Sequence, residues 1–245
     1  MLYRKAIIIC GTYREGHENF LPGTQQDAKF LKKFLMSDLG GDWTNEEIKI
    51  YTNPTEEEIL TINEIQCDYS IVVFTGHGFT NDENEELYFD INDIGYHNKY
   101  FKTQALKQTL IYDCCRSYFT PEANYTLFES MEKIAFVKDS TSNIRELYDS
   151  YIKNAEPGKI YLYSVVEGLA ANIHPKRGSD FIFSLLNGAL NWGQKKTLSI
   201  NDKVLKINTA FYCAKEIMKK FSDDQIPEMC GSLKRNFWSP FAVKF

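Results

Sequence analysis

Ser70-Ile71-Val72-Val73-Phe74-Thr75-Gly76-His77-Gly78 and Thr109-Leu110-Ile111-Tyr112-Asp113-Cys114-Cys115-Arg116-Ser117 are the two stretches that decide the fold. Each is a short apolar run that stops at polar or glycine residues. Runs of that kind form central strands of a sheet covered on both faces. In open α/β sheets, ligands bind just beyond the carboxyl ends of such strands. The first strand therefore delivers His77 to that edge, and the second delivers Cys115, 38 positions later. The two meet if the strands are neighbours. An imidazole beside a thiol promotes the thiolate or takes the proton during attack. Gly78 leaves room for a backbone N–H to face a developing oxyanion. Taken alone, the cysteine reads as a small core residue and the histidine as a satisfied polar group. The pair, with its glycines and matched strand contexts, points to nucleophilic catalysis.

Working outward, Lys5-Ala6-Ile7-Ile8-Ile9-Cys10-Gly11 reads as a first, central strand. A polar loop, 12–22, leads to a helix that opens at Gly23-Thr24-Gln25-Gln26-Asp27-Ala28, carries Ala28, Leu31, Phe34, Leu35 and Leu39 on one face, and ends at Gly40-Gly41. Residues 47–51 read as a strand. Residues 55–65 read as a helix capped by Thr55, with glutamates in its first turn. The β-α-β-α-β alternation up to His77 predicts a parallel α/β sheet. Residues 80–99 form a polar excursion in which Glu86 to Asp90 reads as one hairpin arm, and residues 100–108 read as a short helix. Residues 118–159 show no strong period and read as a mobile connection. Beyond them come a strand over 160–166, a helix over 180–192, a helix–loop unit from Leu198, an amphipathic helix over 209–221, and a tail with Phe237 and Trp238. No linker composition divides the chain, so 1–245 reads as a single domain, with halves 1–117 and 160–245 joined by 118–159.

Composition narrows the function classes. The chain has 245 residues, 43% hydrophobic and 14% aromatic, ample for a real core, and a formal net charge of −5. No lysine or arginine block marks a nucleic-acid groove, and the acidic balance suits a cationic substrate. The six cysteines, at 10, 67, 114, 115, 213 and 230, form no CxxC pair or zinc spacing, which points to a reducing, cytoplasmic setting. The N-terminus lacks a signal-peptide pattern, and no apolar run approaches the roughly 18 residues of a membrane span.

Thr75-Gly76-His77-Gly78 and Asp113-Cys114-Cys115-Arg116-Ser117 resemble the two catalytic motifs of the caspase-like cysteine peptidases, the superfamily of caspases, paracaspases and metacaspases. The resemblance implies a three-layer α/β/α sandwich around a mostly parallel sheet of about six strands. It also implies a Cys115–His77 dyad with Gly78 and Cys115 N–H groups at the oxyanion. The family pattern selects Cys115 rather than Cys114 as nucleophile, and strand alternation agrees: Asp113 and Cys115 share one face, Cys114 the other. Arg116 matches caspases and has no assigned role. Leu21 and Asp113 stand where caspases carry the arginine and glutamine that select aspartate. The chain instead resembles metacaspases, whose basic-specific pocket corresponds to Asp27 and Asp113, completed by Thr24 and Thr75. Two carboxylates would bind arginine or lysine. The implied function is a regulated endopeptidase cutting partner proteins after arginine or lysine, as in cell death or immune defence. An activating protein or ligand is a further expected partner, and Lys133, Lys138, Arg145 and Lys153 in the connection are sites such a specificity could cut.

Alternatives accompany each reading. Asp27 near a helix N-terminus could simply favour the helix dipole. No cofactor is required. The acidic stretch with Asp82, Glu83, Glu85, Glu86, Asp90 and Asp93 could take calcium, but it lacks EF-hand spacing and reads foremost as a solvated loop. His17, His97 and His174 read as surface residues without partners. A non-catalytic interaction module is the alternative function, although such a module usually loses the histidine or cysteine. A nucleotide binder would need a Gly-rich phosphate loop, which residues 11–23 do not supply.

Overall fold

The computed structural model describes residues 2–118, 136, 138, 143–196, 203–220, 222, 224–231 and 238–244. The sheet is built from β1 (Arg4–Gly11), β2 (Ile48–Thr52), β3 (Tyr69–Thr80), β6 (Lys107–Asp113), β7 (Gly158–Tyr163) and β11 (Glu228–Gly231), in the order β11-β7-β6-β3-β1-β2. All neighbours pair in parallel except β11, which closes one edge antiparallel to β7. Past the sheet, β3 continues into a hairpin with β4 (Leu87–Ile91), which pairs in turn with β5 (Ile94–His97). Two short pairs complete the strands: β8 (Ile173–His174) with β9 (Gly178–Ser179), and β10 (Val204–Lys206) with β12 (Pro240–Val243). The sandwich and mostly parallel sheet expected from the sequence are both present.

The apolar strands are apolar at every position because both faces are covered. Ala6, Ile8, Ile71, Val73 and Ile111 pack against α1 (Gly23–Met36), α3 (Ile144–Asn154), α4 (Asp180–Gly193) and α5 (Ile207–Met218). Ile7, Ile9, Val72, Phe74, Leu110, Tyr112 and Cys114 pack the other way, against α2 (Glu56–Glu64), Phe89 and Phe101. Helix α2 starts where the sequence places it: Thr55 accepts from the Glu58 N–H while Glu58 returns to the Thr55 N–H.

Several sequence expectations are corrected. Residues 100–108 are not a helix; a single 3₁₀ turn at Asn98–Tyr100 precedes β6. The Gln108 side chain accepts from the Thr103 N–H (3.2 Å) and donates to the carbonyls of Thr103 (2.9 Å) and Ala105 (2.8 Å). Backbone groups that a helix would pair along its axis are thus taken by one side chain. Helix α1 stops at Met36, before Gly40-Gly41, with Ser37 in extended conformation. The 118–159 connection contains α3, whose Ile144, Tyr148 and Ile152 are buried at i, i+4, i+8 spacing. Lys133, the segment from Leu198 to Asn201 and Phe237 lie outside the described residues. Among the described residues, no helix is long and apolar enough to cross a membrane.

At the end of the sheet away from His77, Arg4 is fully buried. It donates to Glu47 (3.3 Å), Asp149 (2.9 Å) and the carbonyls of Gly41 (2.8 Å) and Asp42 (3.0 Å), and its guanidinium lies 4.5 Å from the Trp43 ring. Arg145 reinforces Glu47 from α3. The network thus ties β1 to the segment between α1 and β2 and to α3. Arg4→Ala takes this partner from Asp149 and from the Gly41 carbonyl, while Arg145 still holds Glu47 and the Asp42 carbonyl, and is expected to lower the unfolding free energy by about 3–5 kcal/mol. The urea midpoint measures this; a loss under about 1 kcal/mol, typical of a surface pair, would contradict it.

Candidate active site

His77 and Cys115 face each other across the central strand pair. Pairing of β3 with β6 holds a constant offset from Tyr69↔Lys107 to Thr75↔Asp113, and the bridge Thr80↔Tyr118 beyond it keeps the same offset. His77 therefore stands in register with Cys115. Alternation along β3 and β6 sends Thr75, His77, Asp113 and Cys115 to the α1/α4 face, and sends Cys114 into the opposite core, where it is 2% exposed. Gly78 sits where no side chain fits: a Cβ there would lie 2.7 Å from the Cys114 sulfur and 3.1 Å from the Cys115 carbonyl oxygen. Glycine thus lets β3 run close against the turn that carries the thiol.

A third group, invisible to sequence reasoning because it is a backbone atom, completes the histidine's surroundings. His77 Nε2 lies 2.9 Å from the Asn19 carbonyl oxygen. A carbonyl only accepts, so Nε2 is the donating nitrogen and Nδ1 is left for another partner. The Cys115 sulfur accepts from the Ala171 N–H at 3.3 Å. Burial raises the Cys115 thiol pKa and Asp113 adds to this, while the N–H groups of Ala171 and of Cys115 itself oppose it. The resting group is a thiol, and attack needs a base.

Asp27 and Asp113 lie together beneath that pair, 1% and 3% exposed, on α1 and at the end of β6. Asp27 accepts from the Thr75 hydroxyl (2.9 Å) and from the Ser179 N–H (2.9 Å). Asp113 accepts from the Ser179 hydroxyl, which also caps α4 through the Ile182 N–H. Burial, then the Asp113 charge, pushes Asp27 well above the usual carboxylate range, against the hydrogen bonds from Ser179 and Thr75. Burial likewise pushes Asp113 up to about 7, with hydrogen bonds from Ser179 and Ser164 opposing and Asp180 adding to the rise. Two carboxylates held this way resist carrying both charges until a cation joins them. Thr24 is also fully buried, but its hydroxyl donates to the Leu21 carbonyl (2.9 Å).

The β8–β9 hairpin covers this acid pair. Gly178, at φ +84°, lies so close to Asp27 that a Cβ would collide with its carboxylate, and Gly23 of α1 meets His174 and Ile173 in the same way. Arg177, 6% exposed, is ion-paired with Asp180, whose carboxylate is also 3.1 Å from His174 Nε2. His174 is therefore not a free surface residue. Nor are His17, stacked on Tyr13 at 4.7 Å, and His97, which lies 2.9 Å from Glu86. Arg116, left without a role by the sequence, donates to Glu228 of the edge strand (2.6 Å) and lies 4.3 Å from the Tyr163 ring. In the acidic stretch, Asp90 and Asp93 bind the Tyr13 hydroxyl (2.6 and 3.1 Å). Among the described residues, no three His, Cys, Asp or Glu side chains gather as a metal site.

Comparison with known proteins agrees with this fold. No curated protein matches the chain in sequence. Among solved structures, caspase-1 from Spodoptera frugiperda superposes with a TM-score of 0.56 at 15% identity, covering 96% of this chain and 88% of that one, which speaks to the fold. The sequence profile described as the caspase domain, of the C14 peptidases, matches residues 3–238. The protein, with His77 and Cys115 at matching register on β3 and just past β6, belongs to the caspase domain family of cysteine peptidases.

Proposed function

We propose that the chain is a cysteine endopeptidase that cuts protein substrates after arginine or lysine. The observation that carries this reading is the register match of His77 with Cys115, with Nε2 anchored on the Asn19 carbonyl. In the reaction, His77 Nδ1 takes the proton of the Cys115 thiol as the sulfur attacks the scissile carbonyl. The tetrahedral oxygen is met by the Gly78 and Cys115 N–H groups. His77 then protonates the leaving amine, and water, deprotonated by the same histidine, hydrolyses the thioester. Asp27 and Asp113, flanked by Thr24 and Thr75, receive the basic side chain. A cation there would draw protons off the pair, whose pKa values are raised by burial and, at Asp27, by the Asp113 charge. Regulated cleavage of a partner protein, as in cell death or immune defence, is the process this chemistry would serve.

The burial of the acid pair favours a second reading in which the described conformation is latent. Asp27 and Asp113 are 1% and 3% exposed, so a substrate's basic side chain reaches them only if the β8–β9 hairpin moves. An activating protein, a ligand, calcium or a cut in the connection would supply that movement. Silence on every peptide, with Cys115 labelled by an arginine-directed electrophile after such a trigger, would select latency. Absence of labelling under all triggers would select an interaction module.

Hydrolysis of fluorogenic peptides ending in arginine, lysine or aspartate, with calcium present or chelated, is the direct test. Cys115→Ala and His77→Ala are each expected to lower kcat by about 10⁴-fold or more. Cleavage after aspartate would sink the pocket assignment and leave the peptidase.

Asp113→Asn is expected to cost about 2–5 kcal/mol in kcat/KM toward arginyl peptides, the usual loss for one partner of a buried charge pair, and far less toward a neutral residue. Because Asp113 sits at about 7, KM for arginyl peptides should fall as pH rises from 6 to 8 in the wild type, and not in Asp113→Asn. Stability runs the other way. The folded pKa lies above the unfolded one, so the contribution is full below about pH 4 and is lost as pH rises through 7. The ligand-free melting temperature should drop over that window, and drop less in Asp113→Asn.

A further inference from the structure

We propose that Tyr13 is a positioning residue for His77: it fixes the plane of the imidazole so that Nδ1 stays aimed at Cys115. The inference rests on the reading of His77 as the base of Cys115. Tyr13 lies in the loop between β1 and α1 and is 2% exposed. Its backbone is in the left-handed region, φ 59°, which a bulky aromatic residue rarely adopts. Such outliers persist where their surroundings over-determine them, and here they do. The N–H groups of Thr12 and Tyr13 both donate to Asn53 Oδ1 (2.8 and 3.1 Å). The Tyr13 hydroxyl donates to Asp90 (2.6 Å) and accepts from the Asp93 N–H (2.9 Å). Backbone and hydroxyl are thus pinned at both ends, and the ring between them has one orientation.

That ring meets His77 edge-on, with centroids 5.7 Å apart and planes at 84°. Asp90, which holds the hydroxyl, is the cross-strand partner of His77 in the β3–β4 pair, so both side chains rise from the same face. The contact matters because a single hydrogen bond at Nε2 anchors one atom of the imidazole and leaves the ring free to swing about it. Tyr13 also acts on that anchor. Its other face stacks on His17 at 4.7 Å; His17 Nδ1 accepts from the Asn19 N–H (3.2 Å); and the Asn19 carbonyl holds His77 Nε2 (2.9 Å). Tyr13, His17, Asn19 and His77 close a circuit in which Tyr13 sets both contacts that orient the base. Burial and the Asp90 carboxylate raise the phenol pKa, so the hydroxyl remains a donor.

Two readouts on Tyr13→Leu and Tyr13→Phe test this. The first is kcat and KM on an arginyl peptide. The second is the pH profile of Cys115 alkylation by iodoacetamide, which needs no peptide hydrolysis, with His77→Ala as reference. Tyr13→Leu should lower kcat by about 10- to 100-fold, the scale of a misplaced catalytic group, with KM within about twofold. Its alkylation profile should move toward that of His77→Ala. Tyr13→Phe keeps the ring and should stay within about threefold of wild type in kcat. Wild-type kcat and profile in Tyr13→Leu would overturn the proposal. Should Tyr13→Leu melt below the assay temperature, Asn53→Ala frees the Tyr13 backbone while leaving the ring intact; kcat should then fall about fivefold, and an unchanged kcat and profile would overturn it equally. Identical profiles for wild type and His77→Ala would remove the Cys–His pair itself, a failure of the underlying reading that the first comparison reveals separately.

Discussion

Parallel pairing of β3 with β6 is the constraint from which the site follows. The backbone ladder keeps one offset from Tyr69 to Thr80, through the last residues of β6 and past the cysteine. Side chains alternate with the pleat, so a slip of one residue would send Cys115 into the α2 core and bring Cys114 to the histidine. Buried apolar residues on both faces prevent that slip, because moving either strand by one would exchange two differently shaped sets: Ile71, Val73 and Ile111 on one side, Val72, Phe74, Leu110 and Tyr112 on the other. Gly78 then allows the close approach that a side chain would block. The relative placement of His77 and Cys115 is set by core packing.

The acid pair shows the opposite economy. Asp27 and Asp113 are surrounded by donors from far along the chain: Thr75 from β3 and Ser179 from the start of α4. These hydrogen bonds oppose but do not cancel the cost of burial, which raises both carboxyl pKa values. The hairpin that covers the pair carries its own cation in Arg177, which is ion-paired with Asp180 and also opposes the rise at Asp27. The pair is thus satisfied by the chain's own donors.

Much of this was legible in the sequence. Strands covered on both faces write themselves as unbroken apolar runs, which is why β1, β3 and β6 and the His77–Cys115 pair could be placed from residues alone. The Thr55 cap of α2 was equally plain. Helix α3 was missed although Ile144, Leu147, Tyr148, Tyr151 and Ile152 carry its period, because the long stretch before it has none to set it off. Residues 100–108 misled because side-chain bonds from Gln108 replaced the helical ones. The Asn19 carbonyl has no residue signature at all, and the Ser179–Asp27 contact spans 152 positions. Tyr13 looked like loop filler until its conformation was seen.

Strands β6 and β7 are hydrogen-bonded neighbours, from Lys107↔Gly158 to Tyr112↔Tyr163, yet they lie on either side of the segment between Tyr118 and Asn143. Helix α3 and β12 likewise fold back onto the core shared with β1 and α1. A single backbone cut within that segment would therefore separate no layer of the sandwich. It would leave two interlocked fragments, one carrying Asp27, His77 and Cys115 and the other Ser179 and Arg177, held by a continuous sheet and a shared core. The architecture is in effect a complementing pair of pieces written as one chain.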